Sequence, residues 1–179
     1  MTPCRVLIAD PAWRFNDALP GKKRGAAKNY ACLSLSEIMR FPLPVLADDA
    51  ILFLWRTSAM PQEALDVVKA WGFVPKSEIT WVKLTKNGKP WMGMGRYVRG
   101  AHETCIVATR GRFKVANRSV RSVFWAKVPV GPDGQYIHSS KPPVFHAIAE
   151  KLAGGTGVEL FARRQVPGWT CLGDECAAG

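Results

Sequence analysis

The 179-residue sequence has few acids, few histidines and no paired cysteines. It contains 14 Asp and Glu against 25 Lys and Arg, and the net charge of +11 favours a polyanionic partner. The five cysteines show neither a C-x-x-C pair nor an adjacent histidine pattern, so we expect reduced, packed thiols without a metal site or disulfide scaffold. No apolar run approaches membrane-spanning length and the first residues lack a signal-peptide segment, so we expect a cytoplasmic protein.

The apolar content of the chain predicts one substantial core. Hydrophobic residues make up 47% of the sequence and seven of its residues are Trp. A chain of this length that buries one core leaves little room for another. We therefore expect a single domain over residues 1–179.

Residues 5–15, RVLIADPAWRF, combine a strand with an abrupt polar ending. The apolar run before Asp10 is typical of a strand buried on both faces, and Pro11 ends its ladder. In an open α/β sheet, ligands lie beyond the carboxyl ends of the strands. Asp10 and the Pro11 carbonyl could accept both N–H groups of a ring amine while Trp13 stacks on the base. The alternative is an Asp that caps a turn and a Trp that only packs.

The rest of the chain alternates between strand and helix patterns. Helices are predicted from Ser34 or Ser36 to Arg40, over residues 60–71 with Pro61 at the start, and up to Leu152. Further strands are predicted over residues 50–55, 79–82, 104–109, 122–127, 157–161 and 169–173. This alternation predicts a doubly wound, mostly parallel α/β sheet.

Two basic stretches favour contact with nucleic acid. Residues 16–30 are predicted to form a polar loop in which Lys22, Lys23 and Arg24 cluster. Residues 83–127 contain eleven Lys or Arg and a single acid, Glu103. Bases and flat or apolar side chains that can stack or wedge interleave there, including Trp91, Met92, Met94 and Tyr97. A generally solvated basic surface is the alternative.

Two charged residues near the end of the chain indicate a ligand site. Lys141 precedes a helix, whose N-terminal dipole disfavours a cation, so an anionic ligand is expected beside it. Glu159 lies within a buried strand, where a carboxylate commonly binds ribose hydroxyls. An ion pair of Glu159 with Arg163 or Arg164 is the structural alternative.

Several ordered motifs resemble the MT-A70 family of adenine N6-methyltransferases, above all its small phage and bacterial members. The motifs are ADPAWRF for the family's ADPPW, NYACLSLSEI, LPVLADDAILFLW, AWGF, TWVK, MGMGRYVRGAHETCIVATRG, HSSKPP, VELFARR and WTCLG. Together they cover nearly the whole chain, which makes the resemblance specific.

The resemblance implies a class I S-adenosylmethionine-dependent (Rossmann-like) fold with permuted motif order, no metal, and a methyl donor that is S-adenosylmethionine. By motif position, Asp10 and Pro11 would orient the target amine, Trp13 would stack, and Tyr30 and Glu103 would lie near the base. The implied cofactor contacts are Lys141, Glu159, Arg163, Asp174 and Glu175. The expected nucleic-acid contacts are Lys22, Lys23, Arg24, Arg96 and Arg99.

Two departures from the family pattern affect these expectations. Ala12 replaces the second Pro, which loosens the turn but keeps the carboxylate, and ARRQ differs after the penultimate strand. The implied activity is methylation of adenine N6 in DNA, with short or relaxed sequence specificity, on a base flipped out of a duplex. RNA adenosine methylation and a non-catalytic nucleic-acid-binding partner subunit are the alternatives. The oligomeric state is left open between a monomer and a homodimer. The expected location is the cytoplasm of a bacterium or a host cell.

Overall fold

The computed structural model describes residues 2–14, 32–95, 97–137, 139–173 and 176. The strands are β1 (Cys4–Ala9), β2 (Leu46–Arg56), β3 (Val74–Leu84), β4 (His102–Arg110), β5 (Val123–Lys127), β6 (Val158–Leu160) and β7 (Thr170–Leu172). The helices are α1 (Leu35–Met39), α2 (Pro61–Ala70) and α3 (Val144–Ala153). The predicted loop over residues 16–30 lies outside the described residues. No helix in the described ranges is long and apolar enough to cross a membrane.

The strands form one sheet in the order β5-β3-β4-β2-β1-β6-β7. Strand β4 runs antiparallel to its neighbours β2 and β3, whereas the other paired strands run parallel. The prediction of a doubly wound, mostly parallel α/β sheet is therefore confirmed. From β1 the chain continues to β2 on one side, and from β6 it continues to β7 on the other. The carboxyl ends of β1 and β6 thus meet where the strand order reverses, which is where open α/β sheets bind ligands.

Alternating side chains of β1 enter two separate cores. Leu7 packs on the face that α1 and α2 cover, and Ile8 packs on the face that α3 covers. Because successive residues of a strand point to opposite faces, the apolar run of β1 supplies both cores at once. The second core is rich in aromatic rings, with Trp55 and Phe145 at a centroid distance of 4.5 Å.

The helix boundaries follow the expected end signals. Ser34 caps α1 in a capping box with Glu37, and Pro61 occupies the first turn of α2. At the end of α3, Gly154 has a φ of 80° and its N–H donates to the carbonyl of Glu150. That left-handed conformation suits glycine, so the chain turns there toward β6.

Strand β3 is longer than the predicted strand over residues 79–82. Its first five residues, 74–78, are exposed and show no alternation of apolar and polar side chains. They belong to the sheet because they pair with β4, in a ladder that begins at Val74 and Thr109. Backbone pairing of this kind depends on the neighbouring strand, so the local sequence could not predict it.

Candidate active site

The turn after β1 places one carboxylate at the point where the strand order reverses. Asp10 follows directly on β1, and its side chain is 16% exposed. The Pro11 carbonyl accepts the N–H of Trp13 at 2.9 Å. A carbonyl oxygen has two lone pairs, so this oxygen can still accept a further N–H from a ligand.

The ring of Trp13 is fixed in the core. Only 3% of this residue is exposed, and its Nε1 donates to the carbonyl of Trp55 at 3.1 Å. A base can stack only on exposed ring surface, so little of Trp13 is left for the predicted stacking. In this structure Trp13 anchors the turn that carries Asp10.

Two lysines and two carboxylates form a buried charge cluster beside that turn. The Lys141 ammonium lies 2.6 Å from Asp10 Oδ2 and 3.2 Å from Glu103 Oε2. The Lys83 ammonium also donates a hydrogen bond to Oε1 of Glu103. We call these four residues the charge cluster. They come from four parts of the chain: the end of β1, the start of β4, the end of β3 and the segment before α3.

The charge cluster explains the position of Lys141 ahead of a helix. The negative charge beside it is supplied by Asp10 and Glu103, so no external anion is needed to account for its position. Lys141 also donates to the carbonyl of Ser139 at 3.3 Å and lies 5.3 Å from the centroid of the Trp55 ring. These contacts hold the ammonium between both carboxylates.

The two carboxyl groups of the cluster differ in the direction of their pKa shifts. Burial raises the pKa of Asp10 above its ordinary value, and the charge of Lys141 compensates for only part of this rise. Burial also acts to raise the pKa of Glu103, but the charges of Lys141 and Lys83 together outweigh it, so that pKa lies below its ordinary value. Burial lowers the pKa of Lys141, whereas Asp10 and Glu103 raise it by more. Glu103 therefore stays ionised more readily than Asp10, and Asp10 is the more basic of the two carboxylates.

A cavity of about 460 Å³ opens onto the charge cluster. We call it the Glu103 cavity. Its walls are the ends of β1 to β4 and loop residues within 91–95 and 98–100. The residues that line it are Asp10, Pro11, Ala12, Trp13, Arg56, Thr57, Ser58, Lys83, Trp91, Gly93, Met94, Gly95, Val98, Arg99, Gly100, His102, Glu103, Ser139, Lys141 and Arg163. Its size suits a small planar ligand such as a nucleobase.

A second cavity of about 630 Å³ lies on the other side of the same turn. We call it the Phe161 cavity. The residues that line it are Asp10, Ala12, Leu33, Phe41, Pro42, Leu160, Phe161, Ala162, Arg163, Cys171, Leu172, Gly173 and Cys176. The two cavities share Asp10, Ala12 and Arg163, so a ligand in each would meet at Asp10.

Close backbone packing shapes the Phe161 cavity. Phe161 has a φ of 60°, a left-handed conformation that is uncommon outside glycine, and its ring packs on Phe41 with centroids 4.4 Å apart. At Gly173, a Cβ atom would lie 2.2 Å from the carbonyl oxygen of Ala162, so only glycine allows this approach. A strained residue and a close backbone approach at the ends of β6 and β7 are typical of a ligand site.

Glu159 does not line either of these cavities. Its Oε2 lies 2.7 Å from Nε2 of His146 on α3, and the Cys171 thiol lies 4.0 Å away. The partner of this strand acid is therefore a histidine and neither of the two predicted arginines. The sequence did not point to His146 because α3 meets β6 only in the folded sheet.

The remaining predicted site residues divide into two groups. Arg99 lies at the Glu103 cavity, and Arg163 lies where the two cavities join. The others, Tyr30, Lys22, Lys23, Arg24, Arg96, Asp174 and Glu175, lie outside the described residues.

Sequence reasoning missed several residues at these cavities. Lys83, Arg56, Thr57 and Phe161 were not predicted as site residues, yet each lines one of the two cavities. Lys83 lies near the carboxyl end of β3, and Arg56 and Thr57 lie at the end of β2. The rule that placed Asp10 at a strand end would have found them had it been applied to every predicted strand.

A doubly wound α/β sheet with cavities at the carboxyl ends of its strands is the arrangement in which open α/β proteins bind their ligands. The family profile described as MT-A70 matches residues 4–175. This match covers almost the whole chain, so the protein belongs to the MT-A70 family.

Three similar proteins illustrate the range of the family. The chain is 29% identical to the human N(6)-adenosine-methyltransferase catalytic subunit METTL3, over 95% of this chain and 28% of that protein. It is 30% identical to mouse N(6)-adenine-specific methyltransferase METTL4, over 95% of this chain and 37% of that protein. It is 29% identical to the type II methyltransferase M.MunI of Mycoplasma sp, over 96% of this chain and 77% of that protein. The chain thus spans only 28% and 37% of the lengths of the two mammalian relatives.

Proposed function

We propose that this protein transfers a methyl group from S-adenosylmethionine to the N6 amine of adenine in DNA. The observation that carries the proposal is that Asp10, the carboxylate of the D-P-x-W turn, lines both the Glu103 cavity and the Phe161 cavity. A base in one cavity and a methyl donor in the other would bring the reacting groups together there. The motif order is then permuted, since the turn of β1 precedes the cofactor segment of β6 and β7.

The Phe161 cavity fits S-adenosylmethionine. Its volume of about 630 Å³ is typical of cofactor sites, and Phe41 and Phe161 offer aromatic walls for the adenine ring. Arg163, which lines both cavities, supplies a cation for the carboxylate of the cofactor. When bound, the cofactor supplies a methyl group on a sulfonium, which is already an activated donor. The proposed cofactor contacts also include Lys141, Glu159, Asp174 and Glu175. Glu159 does not line the Phe161 cavity, so its effect on the cofactor would be indirect.

Asp10 would orient the attacking amine in the Glu103 cavity. The lone pair of adenine N6 is delocalised into the ring, so the amine needs an acceptor that localises it. Lys141 binds Oδ2 of Asp10, which leaves Oδ1 for one N–H, while the Pro11 carbonyl can accept the other. The raised pKa of Asp10 also makes it a better acceptor for the proton that N6 loses on methylation.

Glu103 would keep this arrangement in place. It holds both lysines of the charge cluster, and its low pKa keeps it anionic. Because Lys141 is bound by Glu103 as well as Asp10, its ammonium stays beside Asp10 when a base enters. Positioning of this kind is the main contribution that a protein can make when the methyl donor is already activated.

The choice of DNA follows the similarity to the type II methyltransferase M.MunI, which is 29% identical to the chain over 77% of that protein. The human N(6)-adenosine-methyltransferase catalytic subunit METTL3 is matched over only 28% of its length. A basic chain with a net charge of +11 fits either nucleic acid. The loops around the Glu103 cavity would read the sequence around the target base, and we expect a short or relaxed recognition site.

Methyl transfer to matched oligonucleotides tests the proposal. DNA and RNA strands of the same sequence, and a DNA duplex, would be incubated with a methyl-labelled cofactor and analysed for N6-methyladenine by mass spectrometry. Incorporation into DNA above RNA supports the proposal, and the reverse order assigns the chain to RNA. Calorimetry without nucleic acid separates the remaining alternative, because a non-catalytic partner subunit would bind no S-adenosylmethionine.

A further inference from the structure

Trp125 is exposed on the edge of the sheet, unlike most tryptophans of this protein. It is 63% exposed, whereas Trp13, Trp55, Trp71, Trp81 and Trp169 are each at most 6% exposed. Its strand β5 pairs with β3 at the end of the sheet order. A large flat ring held in water on a rigid strand costs solubility and offers a surface for a planar partner.

The strand register connects Trp125 to the Glu103 cavity. Val82 of β3 pairs with Trp125 of β5 on one side and with His102 of β4 on the other. Paired residues in a sheet point to the same face, so these three side chains form one row on the face that α1 and α2 occupy elsewhere. His102 lines the Glu103 cavity. The row therefore leads from the cavity to the edge of the sheet.

The neighbouring row carries the charge that a polyanion needs. Leu84 pairs with Lys127, and both lie two residues beyond Val82 and Trp125, on the same face. Lys127 is exposed, and the interval of residues 83–127 contains eleven basic residues against one acid. An exposed lysine on an edge strand also discourages pairing with another strand. This combination favours nucleic acid over a second copy of the chain.

We propose that Trp125, Val82 and His102, with Leu84 and Lys127 beside them, form a platform for single-stranded nucleic acid next to the substrate cavity. This inference rests on the proposed function for the identity of the target base. Trp125 would stack on a base that flanks the target adenine, and Lys127 would contact the backbone phosphate. We call these five residues the edge platform.

The dimensions of the edge platform set the length of strand that it can hold. Two inter-strand spacings of about 4.8 Å place Trp125 about 10 Å from His102. That distance corresponds to about three nucleotides at the stacked rise of about 3.4 Å per nucleotide. An oligonucleotide with one flanking nucleotide on each side of the adenine cannot reach Trp125, and one with four can.

The test compares the affinity of these two oligonucleotide lengths in wild type and variants. The wild type should bind the longer oligonucleotide more tightly than the shorter one. Trp125→Ala should reduce this gain in affinity by about tenfold or more, and Trp125→Phe should keep most of the gain. Val74→Ala is the matched control, since Val74 is 54% exposed but lies at the opposite end of β3, and it should keep the full gain. Deoxyribose and ribose versions of both lengths identify which nucleic acid uses the edge platform.

Fluorescence provides a readout that a purely structural role would not change. Trp125 is the most exposed tryptophan, so iodide quenching of the wild type reports mainly on its ring. The long oligonucleotide should protect this emission and the short one should not. An equal effect of both lengths, or a gain in affinity that Trp125→Ala leaves unchanged, overturns the proposal.

Two further measurements separate this proposal from its alternatives. If sedimentation shows self-association that Trp125→Ala abolishes while the length dependence stays intact, the surface joins two copies of the chain and the proposal is wrong. Methyl transfer by the wild type is measured in parallel. Without any transfer the proposed function fails, whereas binding that depends on both length and Trp125 still supports the edge platform.

Discussion

The Lys141 ammonium and the Asp10 carboxylate lie 2.6 Å apart, although 131 residues separate them in the sequence. This ion pair joins the turn after β1 to the segment before α3, and Glu103 binds the same ammonium from β4. The carboxylate that we propose to act on the substrate is thereby held in one position before the substrate arrives. Activity, its pH dependence and the stability of the fold should all depend on this arrangement.

Removal of the Asp10 charge should abolish catalysis without unfolding the protein. Asp10→Asn should lower methyl transfer by about 100-fold or more, because the acceptor that localises the amine lone pair is removed. The fold should persist, since burial already disfavours the charge of Asp10 and Glu103 still pairs with Lys141. Steady-state kinetics and thermal unfolding measure the two effects. Asp49→Asn is the control, because Asp49 accepts the N–H of Arg112 far from both cavities and should leave activity intact.

Lys141 should set the acid limit of activity. In the proposed mechanism the ionised form of Asp10 is the active one, so activity should fall as the pH drops through the pKa of Asp10, which burial places above its ordinary value of 3.8. Lys141→Met removes the charge that opposes this rise, so the acid limb should move about 1 to 3 pH units higher. The pH profile of kcat/KM at saturating cofactor measures the shift. Lys141→Arg retains the charge and should keep the wild-type limb, whereas an unmoved limb in the Met variant would separate Lys141 from Asp10.

Glu103 should stabilise the fold only when it is ionised. Its folded pKa lies below the ordinary value of 4.5, because two lysine charges outweigh the effect of burial. Its contribution to the free energy of unfolding is therefore fully present above pH 4.5 and is lost as the pH falls through the folded pKa. Urea unfolding of wild type and Glu103→Gln should differ at about pH 7, and the difference should shrink toward about pH 3.5. A constant difference at all pH values would indicate a role in packing alone.

Arg163 should contribute to cofactor affinity. Arg163→Ala should weaken S-adenosylmethionine binding by about 1.5 to 3 kcal/mol if the side chain makes a charge-assisted hydrogen bond with the cofactor. Arg164→Ala is the matched control, since the next arginine is exposed and lines neither described cavity. Calorimetry of both variants without nucleic acid measures the difference. Equal affinities would move the cofactor carboxylate away from the junction of the cavities.

The basic cluster of Lys22, Lys23 and Arg24 should contribute to the salt dependence of DNA binding. Its joint replacement by Gln should weaken binding and reduce the log–log salt slope by about 0.9 for each duplex phosphate that the variant no longer neutralises. Binding measured at several salt concentrations gives the slope. A variant with Lys69 and Lys151 replaced, on the exposed sides of α2 and α3, should retain the wild-type slope. If both variants have equal slopes, the loop binds no phosphate.

Three particular residues show where sequence reasoning met its limit. Trp13 was predicted to stack on a base, but its ring lies in the core, where its Nε1 donates to the carbonyl of Trp55 and only 3% of the residue is exposed. Glu159 was predicted to face ribose, and its carboxylate binds His146. Lys141 was expected to have an anionic ligand beside it, and two carboxylates of the chain lie there. In each case the partner that the structure shows comes from a distant segment of the chain.

The sequence by itself determined the elements and most of their ends. The apolar run of β1, the capping box at Ser34, Pro61 at the start of α2 and Gly154 after α3 all act through neighbouring residues, so their patterns can be read locally. The ordered motifs also indicated the MT-A70 family. Only the tertiary structure decided which charges meet, because strand order and register bring β1, β3, β4 and the segment before α3 to one edge of the sheet. Side-chain partners across such an edge depend on distances of a few ångströms between segments that are far apart in the chain, and local patterns contain no information about those distances.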